Sequence, residues 1–230
     1  VTSVFVFTSV FFYSFTSFSQ VTTVYPQQTG NYYSTFNLGA AGAFNQGGFQ
    51  VGMFANGAGT KQVVSWRKFR TDASGTNTSD RAMQVGDEFV VTLSATRAFG
   101  KIGFALLASP AIGSWANRES NYALSVNLDG PAYTGAGWGL WYIRSNGGAV
   151  SVASFGGQQG TYGSFTFTLR LTAPNRMNVT MTDGTNTSTF NDVLLNTSNP
   201  ITDYSIFLED DWDGGATRNI FWGLGAAGTP

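Results

Sequence analysis

The sequence contains no cysteine and no histidine, and charged residues make up only 11% of its 230 positions. Without cysteine the chain has no disulfide bonds and no thiolate chemistry. Without histidine it lacks the commonest general base and the commonest zinc ligand. The net charge of −1 provides no basic surface for phosphates, which excludes nucleic acid as a partner. This composition fits a bacterial or archaeal surface protein, and we expect an extracellular or cell-surface location.

The clearest pattern that is present is an alternation of apolar and polar residues from Ser164 to Leu195. A period of two residues is typical of a half-buried strand. A tight turn is predicted over Ala173–Arg176, and a two-residue hairpin turn at Asp183-Gly184. The predicted buried face consists of Phe165, Phe167, Leu169, Leu171, Met177, Val179 and Met181. Because three strands with one apolar face need a second sheet, we predict an antiparallel β-sandwich (jelly roll) with little or no helix.

The two-residue turn also predicts the register of this hairpin. The expected pairs are Thr182–Thr185, Thr180–Thr187, Asn178–Thr189 and Met177–Phe190. One face would then be a ladder of threonines. Asn186 would lie on the opposite, apolar face, next to Met181.

Short strands separated by turns recur along the rest of the chain at the spacing of a sandwich or barrel. They are predicted at Tyr32–Leu38, Phe49–Met53, Lys61–Arg70, Glu88–Leu93, Lys101–Ala108, Tyr122–Leu128, Trp138–Arg144, Ala149–Phe155, Ile201–Leu208 and Ile220–Leu224. Lys61–Arg70 carries four cations, which predicts a strand with a basic edge. We expect residues 21–230 to form a single β-sandwich domain.

The first 20 residues form a segment without charge, built only from Val, Thr, Ser, Phe and Tyr before Gln20. Such β-branched and aromatic density is typical of a strand. A signal peptide is the alternative, but the basic stretch that begins such peptides is missing. The serines and threonines throughout the segment argue against a membrane-spanning helix.

An uncharged strand of this kind would invite pairing with another chain. We therefore predict that the segment pairs with an adjacent copy of the protein by strand exchange. The contact residues would be Val4, Val6, Val10, Phe12, Phe15 and Phe18. The alternative is an ordinary first strand buried in its own sheet.

The densest acidic group of the chain lies at a glycine-rich bend near the C-terminus. Its candidate Ca²⁺ ligands are Glu209, Asp210, Asp211, Asp213 and Asn219. Hard cations prefer several oxygen ligands at a bend, and this stretch supplies them. The alternative is a solvated acidic loop between two strands.

Aromatic residues in a glycine-rich run are candidates for stacking on sugar rings: Tyr133, Trp138, Trp141 and Tyr142. Burial in the core is the alternative interpretation. Asn-x-Ser/Thr sequons occur at Asn77, Asn178, Asn186 and Asn196. If glycans are attached, we expect Asn77 and Asn178 to be occupied before Asn186.

Catalysis is not predicted from the acidic residues. A glycosidase needs two facing carboxylates, whereas the acids of the bend are consecutive. Glu88 and Glu119 stand alone in the sequence. We therefore expect a protein that is not an enzyme.

The hairpin Phe165–Phe190, the strand Asp203–Leu208 and the bend into Ile220-Phe221-Trp222 resemble the closing strands of concanavalin A-like jelly rolls, of the laminin G or legume-lectin type. The resemblance covers about the C-terminal half of the chain. It implies two curved antiparallel sheets, often with calcium and sugar bound at one rim. The catalytic Glu-x-Asp-x-x-Glu of the glucanase members is missing, which argues against hydrolase activity.

These observations predict a structural or adhesive subunit of an extracellular surface assembly, such as a filament, sheath or fibre, with copies of itself as partners. The alternative is a lectin-like carbohydrate-binding module that uses calcium and binds surface glycans. A polymer without ligand would favour the first hypothesis, and a monomer that binds glycans would favour the second.

Overall fold

The computed structural model describes residues 22–23, 25–26, 34–47, 50–55, 59–70, 82–95, 101–129, 141–146, 148–152, 164–210 and 218–223. Within these ranges the chain forms sixteen strands, one short 3₁₀ helix and no α-helix. The prediction of an all-β chain is therefore confirmed. The contact residues predicted between Val4 and Phe18, and the sequon at Asn77, lie outside the described residues.

The strands in chain order are β1 (Thr22–Thr23), β2 (Tyr25–Pro26), β3 (Ser34–Leu38), β4 (Ala41–Gly47), β5 (Gln50–Ala55), β6 (Lys61–Arg70), β7 (Asp87–Ala95), β8 (Lys101–Leu107), β9 (Tyr122–Asp129), β10 (Trp141–Ser145), β11 (Gly148–Val152), β12 (Ser164–Ala173), β13 (Arg176–Thr182), β14 (Thr187–Leu194), β15 (Asp203–Asp210) and β16 (Arg218–Gly223). The 3₁₀ helix Trp115–Glu119 lies between β8 and β9. Every strand predicted after residue 21 overlaps one of these, and the strand predicted within the first 20 residues lies outside the described residues.

The strands form two sheets. The first sheet has the order β14-β13-β12-β7-β16-β5-β4, with β1 beside β7. The second sheet has the order β11-β10-β9-β8-β15-β6-β2, with β3 beside β6. Neighbouring strands within this described part run antiparallel except β1 and β7, which are parallel. Consecutive strands of the chain often lie in different sheets, so the sandwich is held together by long-range pairing.

The main core fills the space between the two sheets with apolar side chains from alternate positions of their strands. On β13 the residues Met177, Val179 and Met181 are buried, and the residues between them are half-buried. Phe104 of β8 meets Phe167 of β12 edge to face, with ring centroids 5.3 Å apart. Each fully buried side chain of this size contributes about 1.5–3 kcal/mol to folding. Interdigitation across the gap is what joins the sheets into one body.

The hairpin of β13 and β14 is confirmed, but its predicted turn is wrong. The loop has four residues, Asp183–Asn186, and the first pair is Thr182 with Thr187. The Asp183 carboxylate accepts the backbone N–H groups of Thr185 at 2.8 Å and Asn186 at 2.6 Å. A short acidic side chain competes with backbone pairing in this way, so the turn that it stabilises is longer than two residues.

The register of the hairpin is consequently shifted by two residues next to the turn and by three at Met177, because an irregularity between Met177 and Val179 adds one residue on β14. The observed pairs are Thr182–Thr187, Thr180–Thr189, Val179–Phe190 and Met177–Val193. A shift of two keeps each side chain on its predicted face, so the threonine ladder is confirmed. Thr185 and Asn186 are exceptions, because both lie exposed in the turn rather than opposite Thr182 and next to Met181 as predicted.

Two further corrections concern the N-terminal half. β4 lies in a glycine-rich stretch where the sequence predicts no strand, and Gly42 packs there against the ring of Phe54. β6 pairs with β15 on one side and with β2 and β3 on the other, and its Arg67 is fully buried opposite Tyr204. The four cations of β6 therefore do not form a basic edge.

Candidate functional site

The outer face of the second sheet, which points away from the main core, combines small, aromatic and polar residues. Pairing places two rows across it. One row is Trp66, Ser205, Ala105, Ser125 and Arg144, and the next is Val64, Phe207, Gly103, Asn127 and Tyr142. Small residues stand in the middle of both rows, between the apolar side at β6 and the polar side at β10, and we call this middle strip the trough.

The loop of residues 109–121, which connects β8 to β9, folds back over this trough. Trp115 of the loop packs edge to face on Phe207, with ring centroids 6.0 Å apart. The Arg118 guanidinium lies over the rings of Trp115 at 4.6 Å and Phe207 at 5.6 Å. Ser205 donates a hydrogen bond from its hydroxyl to the backbone carbonyl of Arg118. The loop is thus seated by cation–π, aromatic and polar contacts.

Glu119 is the centre of a polar network at the β10 side of the trough. Asn127 Nδ2 donates to Glu119 Oε1 at 2.9 Å, and Arg144 Nη1 lies 3.2 Å from both carboxylate oxygens. Arg118 Nη2 lies 3.2 Å from Oε2. The Glu119 side chain is only 10% exposed, whereas that of Arg144 is 42% exposed. We call Glu119, Ser125, Asn127 and Arg144 the outer-face cluster.

The environment of Glu119 keeps its carboxylate ionised. Burial by itself raises the pKa, but hydrogen bonds from Asn127 and Ser125 and the charges of Arg118 and Arg144 outweigh it and lower the pKa below its ordinary value of 4.5. A carboxylate held in this form is poorly suited to donate a proton at neutral pH. The arrangement therefore favours binding and orientation over acid catalysis.

Close packing fixes the position of Asn127. A Cβ on Gly103 would lie 2.4 Å from the backbone carbonyl of Val126 and 2.6 Å from Asn127 Oδ1, so only glycine fits there. Asn127 Oδ1 is buried and has no hydrogen-bond partner, and the same holds for Arg118 Nε and Trp66 Nε1. Buried polar atoms are usually paired, so these three mark unused hydrogen-bonding capacity beneath the loop.

Of the predicted sugar-binding residues, only Tyr142 has a described side chain. It is half-buried and paired with Asn127 on the outer face. Trp141 contributes backbone pairs with Leu128 and Val152, and its side chain lies outside the described residues, as do Tyr133 and Trp138. Tyr122, which was not predicted, is half-buried with the Arg144 guanidinium 5.9 Å above its ring.

The predicted calcium ligands are only partly described. Glu209 accepts a hydrogen bond from Gln62 Nε2, which lies directly opposite on β6. The side chains of Asp210, Asp211, Asp213 and Asn219 lie outside the described residues. In the described ranges, no three acidic side chains come together as metal ligands would. Calcium at this bend stays a prediction.

The described sequons lie on polar surfaces. Asn178 is half-buried on the outer face of the first sheet, and its Oδ1 accepts the backbone N–H of Asp192 at 2.9 Å. Asn196 is exposed and donates to the Tyr122 carbonyl at 3.3 Å. With Asn186 also exposed in its turn, the structural reason for expecting Asn178 to be modified before Asn186 is removed.

Sequence reasoning missed the outer-face cluster. It treated Glu119 as standing alone, because its partners Asn127 and Arg144 come 8 and 25 residues later. The usable signal was the polar face of two predicted strands, on which Ser125, Asn127 and Arg144 stand at alternate positions.

Comparisons with known proteins concern the fold. No protein-family model and no curated protein sequence matches the chain. Among solved structures, it is similar to peanut lectin, with 14% identity over 82% of this chain and 95% of that one, and a TM-score of 0.45. The exoplasmic domain of VIP36 in a Ca²⁺- and Man₂-bound form matches with 10% identity over 83% and 80%, TM-score 0.48. An endo-β-1,4-glucuronan lyase from Trichoderma reesei matches with 10% identity over 87% and 92%, TM-score 0.47.

The two antiparallel sheets described above are the architecture that the resemblance to concanavalin A-like jelly rolls implies. Identities this low say nothing about what this chain binds or catalyses. Among the described residues there is no helix long and apolar enough to cross a membrane.

Proposed function

We propose that the chain is a non-catalytic carbohydrate-binding domain that binds glycan on the outer face of its second sheet, beside Tyr122, Tyr142 and Arg144. One observation carries this proposal: two half-buried tyrosines flank a fixed network of Glu119, Asn127 and Arg144 on the same face. The function is the lectin-like alternative of the sequence analysis.

Both parts of this surface suit a sugar. A sugar ring presents an apolar C–H face and hydroxyl groups that donate and accept hydrogen bonds. Tyrosine offers a flat apolar ring with a polar tip. The Arg144 guanidinium and the Asn127 amide supply donors and an acceptor that are held in place by the sheet and, in the free chain, by Glu119. Fixed polar groups beside an apolar surface are the usual composition of a small-molecule site.

The structural-subunit hypothesis keeps its place as a prediction, because the segment that would carry it lies outside the described residues. A location outside the cell, where surface glycans are available, agrees with the proposed function. The absence of cysteine and the low charge are compatible with both the structural-subunit hypothesis and the carbohydrate-binding function.

A glycan array with the purified chain tests the proposal, followed by calorimetric titration of the best oligosaccharide. Tyr142→Ala should weaken binding by about tenfold, which corresponds to a ring contact worth about 1.4 kcal/mol. Tyr142→Phe keeps the ring and should bind within about threefold of the natural chain. Retained affinity in Tyr142→Ala would contradict the proposed face, and release of reducing ends during incubation would contradict the non-catalytic assignment.

A further inference from the structure

The outer-face cluster has one member that does not belong to the sheet. Ser125, Asn127 and Arg144 stand on β9 and β10, whereas Glu119 is delivered by the 109–121 loop. The sheet therefore presents an amide and a guanidinium that contact one carboxylate, with the Ser125 hydroxyl 3.4 Å from the amide nitrogen of Asn127. Groups of this kind would hold any carboxylate of similar shape equally well.

The loop that carries Glu119 is closed at its base. Ser109 and Asn121 both have positive φ angles, 50° and 54°, and occupy the two ends of the loop. Asn121 Nδ2 donates to the Ser109 carbonyl at 3.2 Å, and the Ala108 N–H donates to the Asn121 carbonyl at 3.0 Å. Left-handed backbone at residues other than glycine costs energy and is often found where a segment can switch its conformation.

Inside the loop, side chains rather than backbone pairing hold it on the sheet. The 3₁₀ helix has no side-chain cap, and its residues are half-buried or exposed. The helix is held on the sheet by the contacts of Trp115, Arg118 and Glu119 described above. A segment held by a few side chains can leave without breaking a strand pair.

The face of the sheet under the loop also contains buried polar atoms that have no hydrogen-bond partner. Asn127 is 1% exposed and Trp66 is fully buried, yet Asn127 Oδ1 and Trp66 Nε1 have no hydrogen-bond partner. Arg144 uses only Nη1 to contact both oxygens of Glu119, so its other N–H donors take no part in that ion pair. These groups could accept and donate hydrogen bonds to a ligand that replaces the loop.

We propose that Ser125, Asn127 and Arg144 form a carboxylate-binding site for a uronic acid residue of an acidic glycan, and that Glu119 occupies this site in the free chain. This inference rests on the proposed glycan-binding function and names its substrate class. A uronate carries the charge and planar shape of the Glu119 carboxylate. A neutral sugar that displaced Glu119 would leave the Arg144 charge without a carboxylate partner, which is unfavourable.

The replacement of the Glu119 carboxylate by that of the uronate determines the expected affinity for the glycan. Because one carboxylate replaces another, the ion pair with Arg144 adds little net free energy in the natural chain. The remaining gain must come from sugar contacts with Tyr122 and Tyr142 and from the polar atoms beneath the loop. Removal of the Glu119 carboxylate should therefore strengthen the binding of acidic glycans, because the internal competitor is gone.

The test compares Glu119→Ala with the natural chain in titrations with an oligoglucuronate and with a neutral oligosaccharide of equal length. The variant should bind the oligoglucuronate about tenfold more tightly than the natural chain, with no gain for the neutral sugar. Adding Arg144→Gln to the variant should abolish the gain. Asp192→Ala removes a carboxylate from the exposed ion pair with Arg176, 3.3 Å long, and should change nothing.

Acetate and free glucuronate provide a second readout, independent of oligosaccharide binding. Each should raise the melting temperature of Glu119→Ala, and neither should raise that of the natural chain or of the double variant. If Glu119→Ala does not fold, the same measurements are made on Glu119→Gln. Its affinity for the oligoglucuronate and its melting temperature with acetate should rise in the same direction, by a smaller amount. No gain in either folded variant overturns the carboxylate site.

The failures of the two proposals are distinguishable. Equal binding of neutral and acidic oligosaccharides, unchanged by Glu119→Ala, overturns the uronate inference and leaves the glycan-binding function standing. If acetate raises the melting temperature of Glu119→Ala but no oligosaccharide binds, both the glycan-binding function and the assignment of the ligand as a glycan are overturned.

Discussion

At the scale of single residues, Glu119 shows why the candidate site was not predictable. Its importance arises from Asn127 and Arg144, which reach it only after the loop folds back over the sheet. Sequence spacing gives no hint of this contact, since the three residues belong to three different elements. Tyr142 could be named as a candidate sugar-binding residue because a run rich in aromatic residues is visible in the sequence itself.

The ion pairs of Glu119 should make stability depend on acidic pH. Because its pKa is lowered on folding, its contribution is present above the ordinary value of 4.5 and is lost as the pH falls through the folded value below it. Glu119→Gln should remove about 2 kcal/mol of the free energy of unfolding at pH 7 and less at about pH 3. Urea denaturation at both pH values measures this. An equal loss at both would contradict the account.

Gly103 should tolerate no side chain. A Cβ there would press on the Val126 carbonyl and the Phe207 ring, and the backbone of a central strand cannot yield. Gly103→Ala should lower the free energy of unfolding by about 2 kcal/mol and the melting temperature by roughly 6 °C.

Gly42→Ala is the matched control, since the nearest atom is a ring carbon of Phe54 at 3.0 Å, which can shift. Its destabilisation should be the smaller of the two. Thermal melts in which Gly42→Ala is the more damaging variant would contradict the packing described for the trough.

At the scale of elements, the period-two alternation predicted most strands correctly. The turn that joins β13 and β14 was predicted incorrectly. β6 spans the predicted Lys61–Arg70, and β13 has its predicted buried face. The predicted register of the β13–β14 hairpin was wrong because the Asp183 side chain accepts backbone N–H groups within a four-residue loop. β4 was missed because its small residues give a weak hydrophobic period, and pairing with β5 supplies what the sequence pattern lacks.

The connection after β15 is the element for which calcium is predicted. If Glu209 and the acidic residues that follow it bind Ca²⁺, the melting temperature should rise with calcium and fall with chelator. Replacing Asp211 and Asp213 by Asn should remove this dependence, whereas Asp192→Asn on the other sheet should leave it intact. An identical midpoint with and without chelator would leave only the solvated-loop interpretation.

At the scale of the whole molecule, the two-sheet sandwich follows from a simple requirement. Strands with one apolar face must cover it, and two such sheets cover each other. This much could be argued from the sequence. The assignment of β6, β8, β9, β10 and β15 to one sheet could not, because the order of strands in a sheet depends on long-range pairing.

The N-terminal segment remains the basis of the structural-subunit hypothesis. Deletion of residues 1–20 should leave a folded protein that no longer polymerises, if the segment pairs with another copy. Native mass spectrometry and circular dichroism of the truncated and full chains measure both properties. An unfolded truncated chain would mean that the segment belongs to its own core.

The most direct test of the central claim, that glycan binds on the outer face of the second sheet, is a chemical-shift map of backbone amides during glycan titration. The chemical-shift changes should cluster on β9, β10 and the 109–121 loop, around Asn127, Tyr142 and Arg144. The threonine face of β13 and β14 should remain unchanged and serves as the internal control. Shifts confined to β13 and β14, or no shifts with any glycan that the chain binds, would contradict the account.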